Sequence, residues 1–291
     1  MKRQKYEDIL DSLAELDDWL SSLGLRKGQN RIHRHLENIR YLKDLEETGQ
    51  INRLNNDIER KIEIGWSLTE AIEFQNIFQA LRNENPKLVK QKIKDALQGP
   101  ADPNCENKRS NLGRNTVFEL NLAARLKRNN INVIWWRSNP DILCSIDGRD
   151  IHIQCKRPFF EKNIPVNIAR AKTQLTRDLN DAGTNSRGVI AISISRALNS
   201  GGLLFVGDSE VNIKRALDNK VSELGKRYKS AWNQIVDTRI IGILFHIITP
   251  AFIEDIRLFT VMQDFEVNNL SLPNSADANT LIRFSSLLTI H

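Results

Sequence analysis

Residues 141–146 and 149–156 are two alternating runs joined at Asp147-Gly148. No other signal in the chain leaves the backbone so little freedom. Asp-Gly between alternating runs specifies a two-residue type I′ turn, because both central residues need φ > 0, and the turn then dictates which residues stand opposite each other. Ile146 must face Arg149, Cys144 Ile151, Ile142 Ile153 and Asp141 Gln154. One face of the hairpin collects Ile142, Cys144, Ile151 and Ile153; the other collects Asp141, Leu143, Ser145, Asp150, His152, Gln154 and Lys156. Opposed side chains have Cβ atoms about 5 Å apart and diagonal ones about 7 Å, so the Asp141 carboxylate and the Gln154 amide oxygen are placed to hold one cation, with Lys156 beside them. Asp150 lies about 13 Å from Gln154 along the strand and cannot share that cation. Alternation alone is also met by a solvated polar face. Against that stand the helical patterns on either side and the clustering of the polar row at one end of the hairpin.

The first hundred residues follow a different period. Ile9, Leu13, Leu16 and Leu20, then Leu36, Ile39, Leu42 and Leu45, recur at three- and four-residue spacing, as on amphipathic helices. Ser67-Leu68-Thr69-Glu70 has the form of a capping box opening a helix with Ile72, Phe78 and Leu81, and Pro86 starts another that stops at Gly99-Pro100. The Gly-, Pro-, Asn- and Asp-rich stretch that follows reads as a linker. Beyond it, helices and short β-rich runs alternate: a helix over 115–129, strands over 131–137, 141–146 and 149–156, a helix over 166–181, a strand over 188–194, a helix over 210–233, and strands over 239–247 and 257–267. The fold class is therefore mixed α/β, a sheet flanked by helices, preceded by an all-helical N-terminal domain. The boundaries are 1–100 for the helical domain, 101–114 for the linker and 115–291 for the α/β domain.

Composition narrows the partners. The longest apolar stretch, 240–248, is interrupted by Gly242 and His246 and is far short of the ~20 residues a membrane span needs. The N-terminus lacks an apolar signal region, so a cytoplasmic location is expected. Three cysteines give no disulfide framework, and Cys144 and Cys155 fall on the apolar phase of their strands. The formal net charge is +6, yet residues 1–100 hold 17 basic and 17 acidic side chains, so the whole excess, 25 against 19, falls on residues 101–291. An excess confined to one part of the chain suits a polyanionic partner as well as it suits solubility.

Pro140-Asp141, then Gln154-Cys155-Lys156 on the next strand, preceded by a helix bearing Glu119, resembles the PD-(D/E)xK nuclease superfamily of restriction-endonuclease-like fold. Mrr-like members with a Q-x-K motif are the most similar. The resemblance covers residues 115–194 and does not extend to 1–100. Gln154 stands where most of the family carries an acid, and no Gln-x-x-x-Tyr element of the RecB type follows Gln174. What it implies is a divalent-metal-dependent endonuclease acting on DNA with Mg²⁺ or Mn²⁺, in restriction or defence. Asp141 would be the principal metal ligand, with the Gln154 amide oxygen, the Cys155 backbone carbonyl and Glu119. Lys156 would orient the attacking water and stabilise developing charge. Arg157, Lys162, Arg170 and Gln174 would meet the phosphates. A double-strand break takes two active sites, which a homodimer would supply.

Several of these residues have other readings. Thr116-Val117-Phe118-Glu119 fits a capping box, although Glu119 also shares a helix arc with Leu122, Ala123 and Leu126. His152, opposite Leu143, reads as a covered sheet residue. Trp135-Trp136 place one ring in the core and one against a helix or a base. His33 and His35, two apart on a helix, do not face each other and make a poor metal pair. The neutral Gln154 also admits a nucleic-acid-binding module that kept the fold and lost the chemistry.

Overall fold

The helical period of the N-terminal hundred residues is realised as four helices in the computed structural model, which describes residues 5–25, 31–54, 56–134 and 140–289. Helices α1 (Tyr6–Ser22) and α2 (Arg31–Glu47) bury the two expected leucine and isoleucine stripes. Helix α4 (Pro86–Ala96) starts at its proline, where a missing N–H costs nothing, and Asn85 caps it by accepting from the Lys87 N–H. Helix α3 (Ile58–Leu81) departs from expectation, beginning at an Asp57 cap that accepts from the Arg60 N–H at 2.9 Å. Ser67 is thus mid-helix, and the capping box read at Ser67–Glu70 does not exist.

Those two side chains are buried for another reason. Ser67 Oγ takes part in hydrogen bonds with His35 Nδ1 and Asn38 Nδ2, and Glu70, 3% exposed, is met by Arg31, His35 and Arg114 at 2.5 to 3.2 Å. Burial pushes the Glu70 carboxyl up, but Arg114, Arg31 and the His35 hydrogen bond together hold it well below the ordinary carboxylate range.

Among the described residues the chain forms ten α-helices and seven strands and divides into two compact units. Unit 1 comprises Met1–Val117, Asn199–Arg215 and Ile248–Met262; unit 2 comprises Phe118–Leu198, Ala216–Ile247 and Gln263–His291. Residues 101–114, expected as a linker, are built into unit 1: Arg114 donates to Glu70 and to the Ala101 carbonyl, and Asn104 to the Gly201 carbonyl.

The strands form one mixed sheet. Strands β1 (Val133–Ile134), β2 (Ile142–Ile146) and β3 (Arg149–Lys156) are antiparallel; β3, β4 (Arg187–Ser193) and β6 (Ile240–Ile253) run parallel. The complete order is β1-β2-β3-β4-β6-β5, with β5 (Phe205–Gly207) parallel to the last residues of β6 and β7 (Leu258–Asn269) also paired to β6. The class is mixed α/β, as the sequence indicates. The expected strand over 131–137 is described only at Val133–Ile134, and Trp135 and Trp136 lie outside the described residues.

The connection from β3 to β4 is helix α6 (Ile164–Asn180), which buries Ile168, Ala171, Leu175 and Leu179 on the sheet. Gly188 of β4 permits that approach, since a Cβ there would stand 3.2–3.3 Å from Leu179, Leu175 and Ile240 side chains. The helix expected over 210–233 is two helices, α8 (Glu210–Arg227) and α9 (Lys229–Asn233), separated at Tyr228, which has left the helical region with ψ 11°. Strand β6 continues past residue 247 and through Pro250, and helix α10 (Ala276–Thr289), not anticipated, covers Gly242 with Leu281.

Candidate active site

The hairpin forms with the predicted register. Asp147 and Gly148 have φ of 50° and 75°, and Ile142↔Ile153, Leu143↔His152, Cys144↔Ile151, Ser145↔Asp150 and Ile146↔Arg149 are paired. The two faces part as expected, with Ile142, Cys144, Ile151 and Ile153 all in the core. The Cys144 thiol, desolvated there and raised further by the nearby Asp150 charge, is pushed up to about 12 and is inert packing.

The polar face is not a solvated one. Ser145 and Asp150, next to the turn, are exposed, whereas His152 and Gln154 are buried and α6 packs over β3. His152 is a covered sheet residue; burial lowers its pKa, and Asp178 and Asp150 pull it partly back. Asp141 and Lys156, each about one-fifth exposed, mark where this buried row meets solvent.

Four groups converge at that end. The Asp141 Oδ2 accepts the Cys155 backbone N–H at 2.7 Å, so the carboxylate closes the ladder one residue beyond the last strand pair. Lys156 Nζ donates to Gln154 Oε1 at 3.1 Å and to the Cys155 carbonyl at 3.1 Å, and lies 3.9 Å from Asp141 Oδ2. One ammonium therefore sits among the three oxygens that the sequence nominates as cation ligands. Gln154 Nε2 in turn donates to Asp178 Oδ2 of α6 at 3.4 Å.

The remaining candidates are placed as follows. Glu119 is half-buried on helix α5 (Leu112–Arg128). That helix begins before Thr116, whose hydroxyl donates back to the Leu112 carbonyl at 3.0 Å, so the capping box read at Thr116–Glu119 is not formed. Arg157 is half-buried, and Lys162 and Arg170 are exposed, with Lys162 Nζ 5.8 Å from the centre of the Phe160 ring. Gln174 lies on α6 one turn before Asp178 and on the same side, and its buried Oε1 has no partner among the described residues.

Two residues were not foreseen from sequence. Asp178 carries no motif, and nothing in its sequence spacing marks it. Arg196, on the short helix α7 (Ser195–Leu198) after β4, is 6% exposed with its guanidinium 4.3 Å over the Phe159 ring.

Among the described residues no three His, Cys, Asp or Glu side chains gather as a metal cluster, so a cation beside Asp141 would draw on the neutral oxygens of Gln154 and Cys155 as well as on carboxylate. His33 pairs with Glu37 on the surface, and His35 is tied to Ser67 and Glu70. Unit 1 contains a cavity of about 930 Å³ lined by Arg34, His35, Asn38, Glu63, Trp66 and Ser67 among others, and none of the candidate catalytic residues borders it. Compared with family models, curated proteins and solved structures, the chain matches none.

Proposed function

We propose that the Asp141–Gln154–Lys156 cluster is the catalytic centre of a divalent-metal-dependent endonuclease that hydrolyses phosphodiester bonds of DNA, within a restriction-endonuclease-like fold. The observation that carries this reading is the set of oxygens from Gln154, Cys155 and Asp141 around the Lys156 ammonium. An ammonium is a cation of modest demands, and oxygens that converge on it suit a hard divalent ion. Mg²⁺ typically keeps several waters and takes only one or two carboxylates, so Asp141, the Gln154 oxygen and the Cys155 carbonyl form a sufficient donor set.

When bound, Mg²⁺ or Mn²⁺ would polarise the phosphoryl oxygens and lower the pKa of a bound water. The residues of the chain have separate tasks. Asp141 supplies the negative charge that draws the cation in, while its hydrogen bond from the Cys155 N–H fixes the carboxylate against the strand. Lys156, released from its present acceptors, orients the attacking water and stabilises charge on the phosphoryl group, as a compact ammonium does. Arg157, Lys162 and Arg170 follow the backbone of the nucleic acid, and Gln174 would meet a phosphate by donating from its amide NH₂. Two copies of the chain as a homodimer would cut both strands.

The test is cleavage of DNA by the purified protein with Mg²⁺ or Mn²⁺. Wild type is expected to cut and to stop on chelation, and Lys156→Ala and Asp141→Ala each to lose at least about 100-fold, the usual scale for a positioned proton-transfer or charge-stabilising group. Cleavage by Lys156→Ala at the wild-type rate overturns the assignment. A second reading, a nucleic-acid-binding module without chemistry, is favoured by the neutral Gln154 where an acid would be expected; it predicts salt-dependent binding that ignores both chelator and Asp141→Ala.

A further inference from the structure

Gln154 is an unusual choice for a cation ligand, because its amide offers an oxygen and an NH₂ of nearly the same shape and opposite use. Two neighbours decide which way it faces. The Lys156 ammonium donates to Oε1 at 3.1 Å, and the Asp178 carboxylate accepts from Nε2 at 3.4 Å. Turning the amide over would set NH₂ against ammonium and oxygen against carboxylate. Gln154 is 0% exposed, so water cannot offset that mismatch. Asp178 is itself well placed to be decisive: its side chain is 8% exposed, it is carried by a helix packed on β3, and its other oxygen, Oδ1, lies 3.7 Å from Arg177 Nε.

We propose that Asp178 is a positioning residue that aims the Gln154 carbonyl oxygen at the cation position, an inference that rests on the metal-site reading above. Its role is greatest when Lys156 gives up that oxygen, since Asp178 is then the neighbour that still distinguishes the two ends of the amide. The pair also accounts for the missing acid of the strand. Gln154 with Asp178 holds one negative charge and one N–H···O bond, the same inventory as Glu at 154 with Asn at 178. The charge has been moved from strand to helix. It follows that Gln154→Glu, a change toward the acid that nucleases of this pattern usually carry, sets two carboxylates against each other in a buried place and is harmful alone. Asp178→Asn repairs it.

Mn²⁺ binding by calorimetry and thermal unfolding without metal, both on the full chain, test this with wild type, Asp178→Ala, Asp178→Asn, Gln154→Glu and the Gln154→Glu/Asp178→Asn double variant. Asp178→Ala is expected to weaken Mn²⁺ about 10- to 100-fold, the usual effect of losing a residue that orients a ligand. Asp178→Asn, which keeps an acceptor, stays much closer to wild type. In metal-free unfolding Gln154→Glu lowers Tm, and adding Asp178→Asn restores it. Mn²⁺ affinity of Asp178→Ala equal to that of wild type overturns the positioning role while leaving the metal site standing. Should Asp178→Ala fail to fold, Asp178→Asn and the unfolding series carry the test, and strictly additive effects of the two substitutions on Tm overturn the pairing. If wild type binds no Mn²⁺ but the Tm coupling is present, the metal reading falls and the Gln154–Asp178 pairing survives.

Discussion

His246 is wholly enclosed, stacked on Phe118 at 5.2 Å and flanked by Phe265 at 4.8 Å, and its Nε2 meets Gln263 Nε2 at 2.7 Å. The Gln263 oxygen accepts from Arg125, so its NH₂ end must donate to the ring, which fixes His246 as a neutral acceptor at Nε2. Burial, and then the Arg125 charge, lower its pKa to about 3. The sign of the consequence is definite. Above about pH 6.5 the ring is neutral both folded and unfolded and contributes no pH dependence; below it, the unfolded chain binds a proton that the folded one refuses, so stability falls by up to about 1.4 kcal/mol per pH unit until pH 3. His152, shifted in the same direction, adds to the fall. Urea unfolding at pH 7.5 and 5.0 should show this loss in wild type and a smaller one in His246→Phe, even though that variant starts less stable for leaving the Gln263 NH₂ unpaired. An equal loss in both would assign the acid sensitivity elsewhere.

At the level of elements, the hairpin is the most legible part of the chain because its cause is local. Gly148 has φ 75° and nothing within 4 Å of where a Cβ would stand, so substitution there costs backbone strain and no packing. Gly148→Ala is expected to destabilise by about 1–2 kcal/mol, the price of a left-handed residue with a Cβ, and Gly148→Asn by less, read as shifts in the urea midpoint. The register, the Cys144 and Cys155 burial and the Asp141–Lys156 proximity were all readable for that reason. The two capping boxes were not. Ser-x-x-Glu and Thr-x-x-Glu look the same at a helix start as inside a helix, and Ser67, Glu70 and Thr116 owe their places to α3 and α5 extending upstream and, for Ser67 and Glu70, to the buried ion pairs with Arg31 and Arg114. Asp178 escaped notice because its partner depends on how a helix docks on a strand, which spacing does not encode. Helix α10 was within reach: Ala278, Leu281, Phe284 and Leu288 repeat at helical spacing and are buried together.

For the molecule as a whole, the division into two units does not follow the sequence in one cut. Unit 1 draws on residues 199–215 and 248–262 as well as the N-terminal 117. Within it, Pro250 lies against Gly65 of α3, Lys61 sits 5.0 Å over the Phe252 ring, and the Tyr6 hydroxyl donates to the Phe259 carbonyl. A fragment of residues 115–291 would expose all of these contacts, including the buried end of β6. Expressed alone it should aggregate or fail to unfold cooperatively by circular dichroism, while the full chain does; a soluble, cooperative fragment would refute this. The order in which the candidate site assembles follows from the same separation of near and far. Asp141 and Lys156 are brought together by a two-residue turn, an event that takes about 1–10 μs in isolated hairpins, whereas Asp178 arrives only once α6 has docked. On the metal-site proposal, the oxygens would gather first and Asp178, proposed to sort oxygen from nitrogen at Gln154, would come second, so a chain caught between the two steps would have its proposed ligands assembled but one of them not yet pointed.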